Sequence, residues 1–304
     1  MRYLRTGLLL CAFSLILSAP CGQASAGQFT EIDVPFSGAT GTAALGINSQ
    51  GDIVGVYQDS SFNLHNFLLR EGNFSNIDPP GGNGPALLFL VSPMGINPSG
   101  DIVGNYSDSS GNHGFLLSRG TYTTIDAPGA SQIFTGGGTW ASGINARKDI
   151  VGFYTDSSGI SHGFQLSHGA FTKIDVPGSG NTSALGISPQ GDIVGQYSDD
   201  PSDTITHGFL LSHGTFSALN PPGATIDSFP FARAINPRGD IIGNYFDNSG
   251  TQSFLLSEGT YSIIDVPEAT AGGGPVVTGI SPKGDIVGFY FDSSGNLHGF
   301  LLTK

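Results

Sequence analysis

Gly95-Ile96-Asn97-Pro98-Ser99-Gly100-Asp101-Ile102-Val103-Gly104-Asn105-Tyr106 is followed by His113-Gly114-Phe115-Leu116-Leu117 and then by Ile125-Asp126-Ala127-Pro128. The first phrase recurs with small changes from Gly46, Gly143, Gly186, Ala234 and Gly279. The six starts are 49, 48, 43, 48 and 45 residues apart. That period suits four short strands with their turns, as in circular or stacked repeat folds. In the second copy the pattern predicts strands over Val91 to Asn97, Asp101 to Asp108, His113 to Ser118 and Tyr122 to Asp126. Ile102, Gly104 and Tyr106 share one face by the two-residue period of a strand. Asn97-Pro98-Ser99-Gly100, Asp108-Ser109-Ser110-Gly111 and Arg119-Gly120 carry the Pro, Gly and Asp chemistry of tight turns. Each copy therefore reads as a four-stranded antiparallel meander.

The ends of the chain decide how the meanders assemble. The last copy stops at Leu301-Leu302-Thr303-Lys304, after a third strand, while Phe29-Thr30-Glu31-Ile32-Asp33-Val34-Pro35 stands ahead of the first copy as an orphaned fourth strand. Pairing the two would complete a sixth unit and remove two open sheet edges. The expectation is an all-β, six-bladed β-propeller whose last blade is closed by the N-terminal strand. An open solenoid would call for polar capping repeats, and none is visible.

Met1 to Ala26 has the form of a signal peptide. Arg2 and Arg5 precede an apolar run from Leu8 to Leu17, and Ala24-Ser25-Ala26 offers a small-x-small cleavage site. The run is too short to span a bilayer. A lipoprotein reading centred on Cys21 has Pro20 where a small residue is expected. The domain is then 27–304, secreted or periplasmic, without thiols, because Cys11 and Cys21 both lie in the leader. Removing the leader leaves 9 Lys and Arg against 24 Asp and Glu, a formal charge of −15, which disfavours nucleic acid and anionic membranes as partners. A monomer is expected.

The phrases Gly95 to Tyr106 and His113 to Leu117 resemble the HAF-repeat family, and the resemblance covers nearly all of 27–304. The family's His-Ala-Phe core is changed here to Gly at Gly114, Gly163, Gly208 and Gly299 and to Asn at Asn66. The resemblance implies export and a repeat scaffold, and it brings no activity, cofactor or site residue with it.

Among polar repeats, His65, His113, His162, His207 and His298 share one position on the third strand, with Gln252 in the remaining copy. Spread around a ring they cannot share one metal ion, so a structural hydrogen-bonding role is expected. Aspartates after the first turn and after the second strand suit local backbone bonding. Asp199, Asp200 and Asp203 form the one acidic cluster that breaks the repeat, and calcium there is the alternative to no cofactor. No Gly-x-Ser-x-Gly elbow, Walker sequence, His-Glu-x-x-His or Cys-x-x-Cys is present.

Spacing within the copies is unequal. Turns between first and second and between third and fourth strands keep their length, whereas second-to-third and inter-blade connections vary. In a meander the variable connections emerge on one face, where recognition is usually placed. Leu87, Leu88, Phe89, Phe134, Trp140, Phe229, Phe231 and Arg233 gather there outside the repeat pattern. The leading expectation is a non-enzymatic propeller binding a glycan or protein through Phe134, Trp140, Phe229, Phe231 and Arg233; these residues equally suit plugging the ring or starting inner strands. The alternatives are a hydrolase or lyase with Asp199, Asp200, Asp203 and His207 at the channel mouth, and a structural envelope component.

Overall fold

A computed structural model describes residues 27–80, 92–132, 137–200, 206–224, 230–247, 250–267, 269 and 274–304. All of its regular structure is strand. Blade one holds β2 (Ala39–Ile47), β3 (Ile53–Asp59), β4 (Leu64–Arg70) and β5 (Asn73–Asn76); the N-terminal strand β1 (Gln28–Ile32) lies elsewhere. Blade two holds β6 (Ser92–Ile96), β7 (Ile102–Asp108), β8 (Gly111–Ser118) and β9 (Thr121–Ile125). Blade three holds β10 (Thr139–Ile144), β11 (Ile150–Thr155), β12 (Ser161–Ser167) and β13 (Ala170–Ile174). Blade four holds β14 (Asn181–Ile187), β15 (Ile193–Ser198), β16 (Thr206–Ser212) and β17 (Thr215–Leu219). Blade five holds β18 (Phe231–Ile235), β19 (Ile241–Asp247), β20 (Gly250–Ser257) and β21 (Thr260–Ile264). Blade six takes β22 (Val276–Ile280), β23 (Ile286–Phe291) and β24 (Leu297–Thr303) from the C-terminus.

Blade six is completed by β1, which pairs antiparallel with β24 from Gln28 opposite Thr303 to Ile32 opposite Gly299. The ring is thus a six-bladed β-propeller closed through its termini, as the orphaned phrase predicts.

The interfaces between blades explain why the copies resemble one another. Val103, Ile125 and Ala127 of blade two pack against Ala141, Ile144, Ile150 and Phe164 of blade three. At the seam, Val287, Ile32 and Val34 meet Ala44, Ile47, Ile53 and Phe67 in the same way. The six third-strand phenylalanines Phe67, Phe115, Phe164, Phe209, Phe254 and Phe300 are at most 1% exposed. Each lies over a second-strand glycine. A Cβ on Gly152 would stand 1.9 Å from the Trp140 carbonyl oxygen and 2.9 Å from the Phe164 ring, so the glycine of Asp-Ile-Val-Gly is fixed by that aromatic. Burying these side chains is the main stabilising contribution, since no described residue is a cysteine.

The first turns are held more elaborately than simple Asp capping. Asn48 Oδ1 accepts the backbone N–H groups of Gln50 and Asp52, while its Nδ2 donates to Asp52 Oδ2 and to the Asn97 carbonyl of the next blade. Asn97 reaches the Asn145 carbonyl, and Asn145 the Ser188 carbonyl, in turn. The expected role therefore passes from aspartate to asparagine, whose amide can accept from the turn and donate to a neighbour at once. The aspartate carboxylates instead accept from side chains, as Asp52 does from Arg70 and Asp149 from Ser167. The aspartates after the second strand do cap backbone as expected: Asp59 Oδ1 accepts from Ser61 and Asn63 N–H, both at 2.8 Å.

Candidate functional site

Side chains of interest fall in two places, the axis and the variable face. At the axis, every inner strand slips its register at one equivalent point: between Ala44 and Gly46, Pro93 and Gly95, Ala141 and Gly143, Ala184 and Gly186, Ala232 and Ala234, and Val277 and Gly279; β2 slips a second time between Ala39 and Gly41. A bulge of this kind re-aims the extra residue. The six residues so placed, Leu45, Met94, Ser142, Leu185, Arg233 and Thr278, line one axial cavity of about 100 Å³. The following glycines let neighbouring backbones touch: a Cβ on Gly143 would lie 3.2 Å from Gly186 Cα, and one on Gly279 3.2 Å from Gly46 Cα.

Of the residues singled out from the sequence, Trp140, Phe231 and Arg233 belong to inner strands. Trp140 is 7% exposed, stacks on Phe153 with ring centroids 5.9 Å apart, and leaves its buried Nε1 without a hydrogen-bond partner. Phe231 holds the same repeat position in blade five and is half-buried. Arg233 reaches across the axis, its Nη2 3.6 Å from the sulfur of Met94 in the opposite blade. Phe134, Phe229, Asp203, Leu87, Leu88, Phe89 and the Met1 to Ala26 segment lie outside the described residues. Asp199 is taken up by His207, 3.1 Å from its Nε2.

On the variable face the third-strand histidines of blades one, two, three and six sit between two carboxylates. His65 Nδ1 is 2.9 Å from Asp78 and its Nε2 3.4 Å from Asp59. His113 and His162 repeat the arrangement with Asp126 and Asp108, and with Asp175 and Asp156. Each ring faces a second-strand tyrosine, as His65 faces Tyr57 at 5.0 Å. Blade four has Asn220 in place of the fourth-strand aspartate, and His207 keeps only Asp199. The recurrence of one hydrogen-bonded design from blade to blade argues for a structural role, in line with the sequence.

The seam between blades six and one keeps this design, His298 standing between Asp33 and Asp292, and adds a third carboxylate, Glu31. His298 Nδ1 lies 2.9 Å from Asp33, and Glu31, Asp33 and His298 bring one ligand atom each within 4.8 Å of one another, the one group of metal-ligand spacing among the described residues. Burial disfavours the charged His298 ring, yet its bond to Asp33 and the charges of Asp33 and Glu31 carry its pKa above the ordinary value. Burial raises Asp33 despite the opposing hydrogen bond and charge of His298. Beside them is a cavity of about 200 Å³ lined by Asp33, Thr40, Gly41, Thr42, Asn296 and His298.

One residue here escaped the sequence reading. Phe62 closes the second-to-third turn of blade one at φ 66, where blades two, three and six have Gly111, Gly159 and Gly295. Its N–H bonds the Asp59 carbonyl just as that of Gly159 bonds Asp156. It is 74% exposed, although a bulky side chain at positive φ is strained. The replacement of Gly by Phe in Asp-Ser-Ser-Gly was the available signal. Of the four large exposed hydrophobic residues described, Phe62, Phe246 and Phe291 all lie at second-to-third connections.

Comparison with known proteins bears on the architecture. No family model matches the chain, and no curated protein matches it, so the HAF-repeat resemblance stands on its phrases alone. Among solved structures, a fungal lectin from Aleuria aurantia, described as a six-bladed β-propeller with a novel fucose recognition mode, has TM-score 0.55 at 14% identity over 88% of this chain and 92% of its own. The fold is that of a six-bladed propeller. A mutant of AofleA from Arthrobotrys oligospora gives TM-score 0.53 at 11% identity, covering 91% and 87% of the two chains. A protein of unknown function from Dyadobacter fermentans gives 0.55 at 10%, covering 92% and 99%. No helix among the described residues is long and apolar enough to cross a membrane.

Proposed function

We propose that this is an exported, non-enzymatic propeller that binds carbohydrate on its variable face, with the seam cavity between blades six and one as the binding site. Phe62 carries the reading: a strained, exposed aromatic ring stands where the repeat otherwise puts glycine. Seven described non-glycine residues take positive φ, and Phe62 alone among them carries a large apolar side chain, which is why its strain is read as serving function. Thr40, which lines the cavity, bonds the carbonyls of Gln58 and Asp59 at the base of the Phe62 loop. Carboxylate, hydroxyl and amide groups at Asp33, Thr40, Thr42 and Asn296 suit sugar hydroxyls, and an aromatic face suits the apolar face of a sugar ring. The lectin neighbours support this choice of ligand class, and fucosides are the first probes.

Titration of a fucoside and a glycan panel tests it. Wild-type protein is expected to bind, and Phe62→Ser to weaken binding about tenfold, the loss of one stacking contact. Absence of binding to every glycan, or binding unchanged in Phe62→Ser and His298→Ala, would overturn the assignment. Trp140→Ala with Phe231→Ala reports whether the axial aromatics contribute instead.

A further inference from the structure

The six bulge residues around the axis are of five types, leucine occurring twice, and one of them is charged. Arg233 stands among Leu45, Met94, Ser142, Leu185 and Thr278, none of which carries charge. Arg70, Arg147, Lys148, Lys173 and Arg238 each pair with a carboxylate at 2.8 to 3.1 Å. Arg233 has no such partner among the described residues. A guanidinium offers five donors, and the contact shown for it is a thioether sulfur, a weak acceptor. Ser142 lines the same cavity, is 6% exposed, and its Oγ has no hydrogen-bond partner.

Removing a lone charge from water costs several kcal/mol unless a counter-charge accompanies it. Arg233 keeps part of its surface in solvent, and partial desolvation at the axis pulls it down to about 10, which leaves it charged at neutral pH. Proton loss therefore does not relieve the cost, and a bound anion does.

We propose that the axial cavity is a binding site for one small oxyanion, a carboxylate, phosphate or sulfate, held by the Arg233 guanidinium with Ser142 as a second donor. A planar fork of N–H groups matches such oxygens in pairs. The cavity of about 100 Å³ admits an anion of a few heavy atoms, and it shares no lining residue with the carbohydrate site proposed at the seam.

Thermal melts of the full chain in phosphate, sulfate or formate, against chloride at equal ionic strength, test the proposal. Wild-type Tm is expected to rise with the logarithm of anion concentration above Kd, by about 5 °C at a hundredfold excess. Response to phosphate and sulfate alone assigns a tetrahedral anion, and response to formate a carboxylate. Arg233→Met, which repeats the side chain already tolerated at Met94, is expected to abolish the rise. Should that variant not fold, Arg233→Lys keeps the charge without the fork and is expected to weaken the anion at least tenfold. No anion-specific rise in the wild type, or an equal rise in either variant, overturns the proposal.

Discussion

On one side of the disc Asn48, Asn97 and Asn145 make the same turn bonds and the same bridge to the next blade. On the other side the connections change length and Asn220 replaces aspartate; a turn glycine is replaced on both sides, by Phe62 here and by Lys148 in a first turn, each at φ 66. Both sides come from one repeated sequence. The difference lies in what a turn must bond to: first turns touch each other around the axis, so a change in one disturbs its neighbour, while second-to-third turns project singly and are free to diverge. Charge follows the same division. Of the nine Lys and Arg after residue 26, Arg70, Arg119, Arg147, Lys148, Arg238, Lys283 and Lys304 lie at the constant turns or the C-terminal end beside them. The acids that flank the histidines lie opposite, so the variable face is the acidic one.

Three substitutions probe this division. Gly152→Val, in the scaffold common to both sides, drives a side chain into the Trp140 carbonyl and the Phe164 ring; a loss of more than about 3 kcal/mol is expected in urea unfolding. Asn97→Ala, on the constant side, frees two turn N–H groups and the Asn145 carbonyl, for a loss of about 2 kcal/mol. On the variable side Phe62→Gly should do the reverse and stabilise by about 1 kcal/mol while weakening glycan binding, because the left-handed conformation costs glycine little. Equal destabilisation by the last two would erase the distinction between the faces.

The smallest effect is pH dependence. His65 and His298 have folded pKa values above the ordinary 6.5, so their contribution is complete below that value and is lost as pH rises through the raised pKa. Asp59, held down to about 2 by its bonds to Asn63, contributes above its ordinary value and loses that only in strong acid. Tm should therefore decline between pH 6 and 8, with a shallower decline in a His65→Gln, His298→Gln double variant. Parallel curves would remove the histidines from the account.

Strand order, turn positions and closure could be read from the sequence because each is a local pattern repeated six times. The axis could not. A strict alternation assigns Arg233 to the face of Phe231, whereas the bulge between Ala232 and Ala234 inserts it as the extra residue in its ladder, and register slips of this kind leave no period to detect. The seam site was hidden for a different reason: Asp33 and His298 are 265 residues apart, and their meeting depends on closure. Trp140, outside the repeat pattern, suits either a surface anchor or the start of an inner strand by sequence, and its place two residues before the bulge in β10 sets it on the inner strand against Phe153.

Closure through the termini underlies the fold, the seam cavity and the division into faces. Thr30 lies opposite Leu301 in the β1–β24 ladder. In a chain with Cys11 and Cys21 changed to serine, Thr30→Cys with Leu301→Cys should form an intramolecular disulfide on mild oxidation, mapped by mass spectrometry of the unreduced digest. Free thiols at both positions in the folded, oxidised protein would contradict the closed ring.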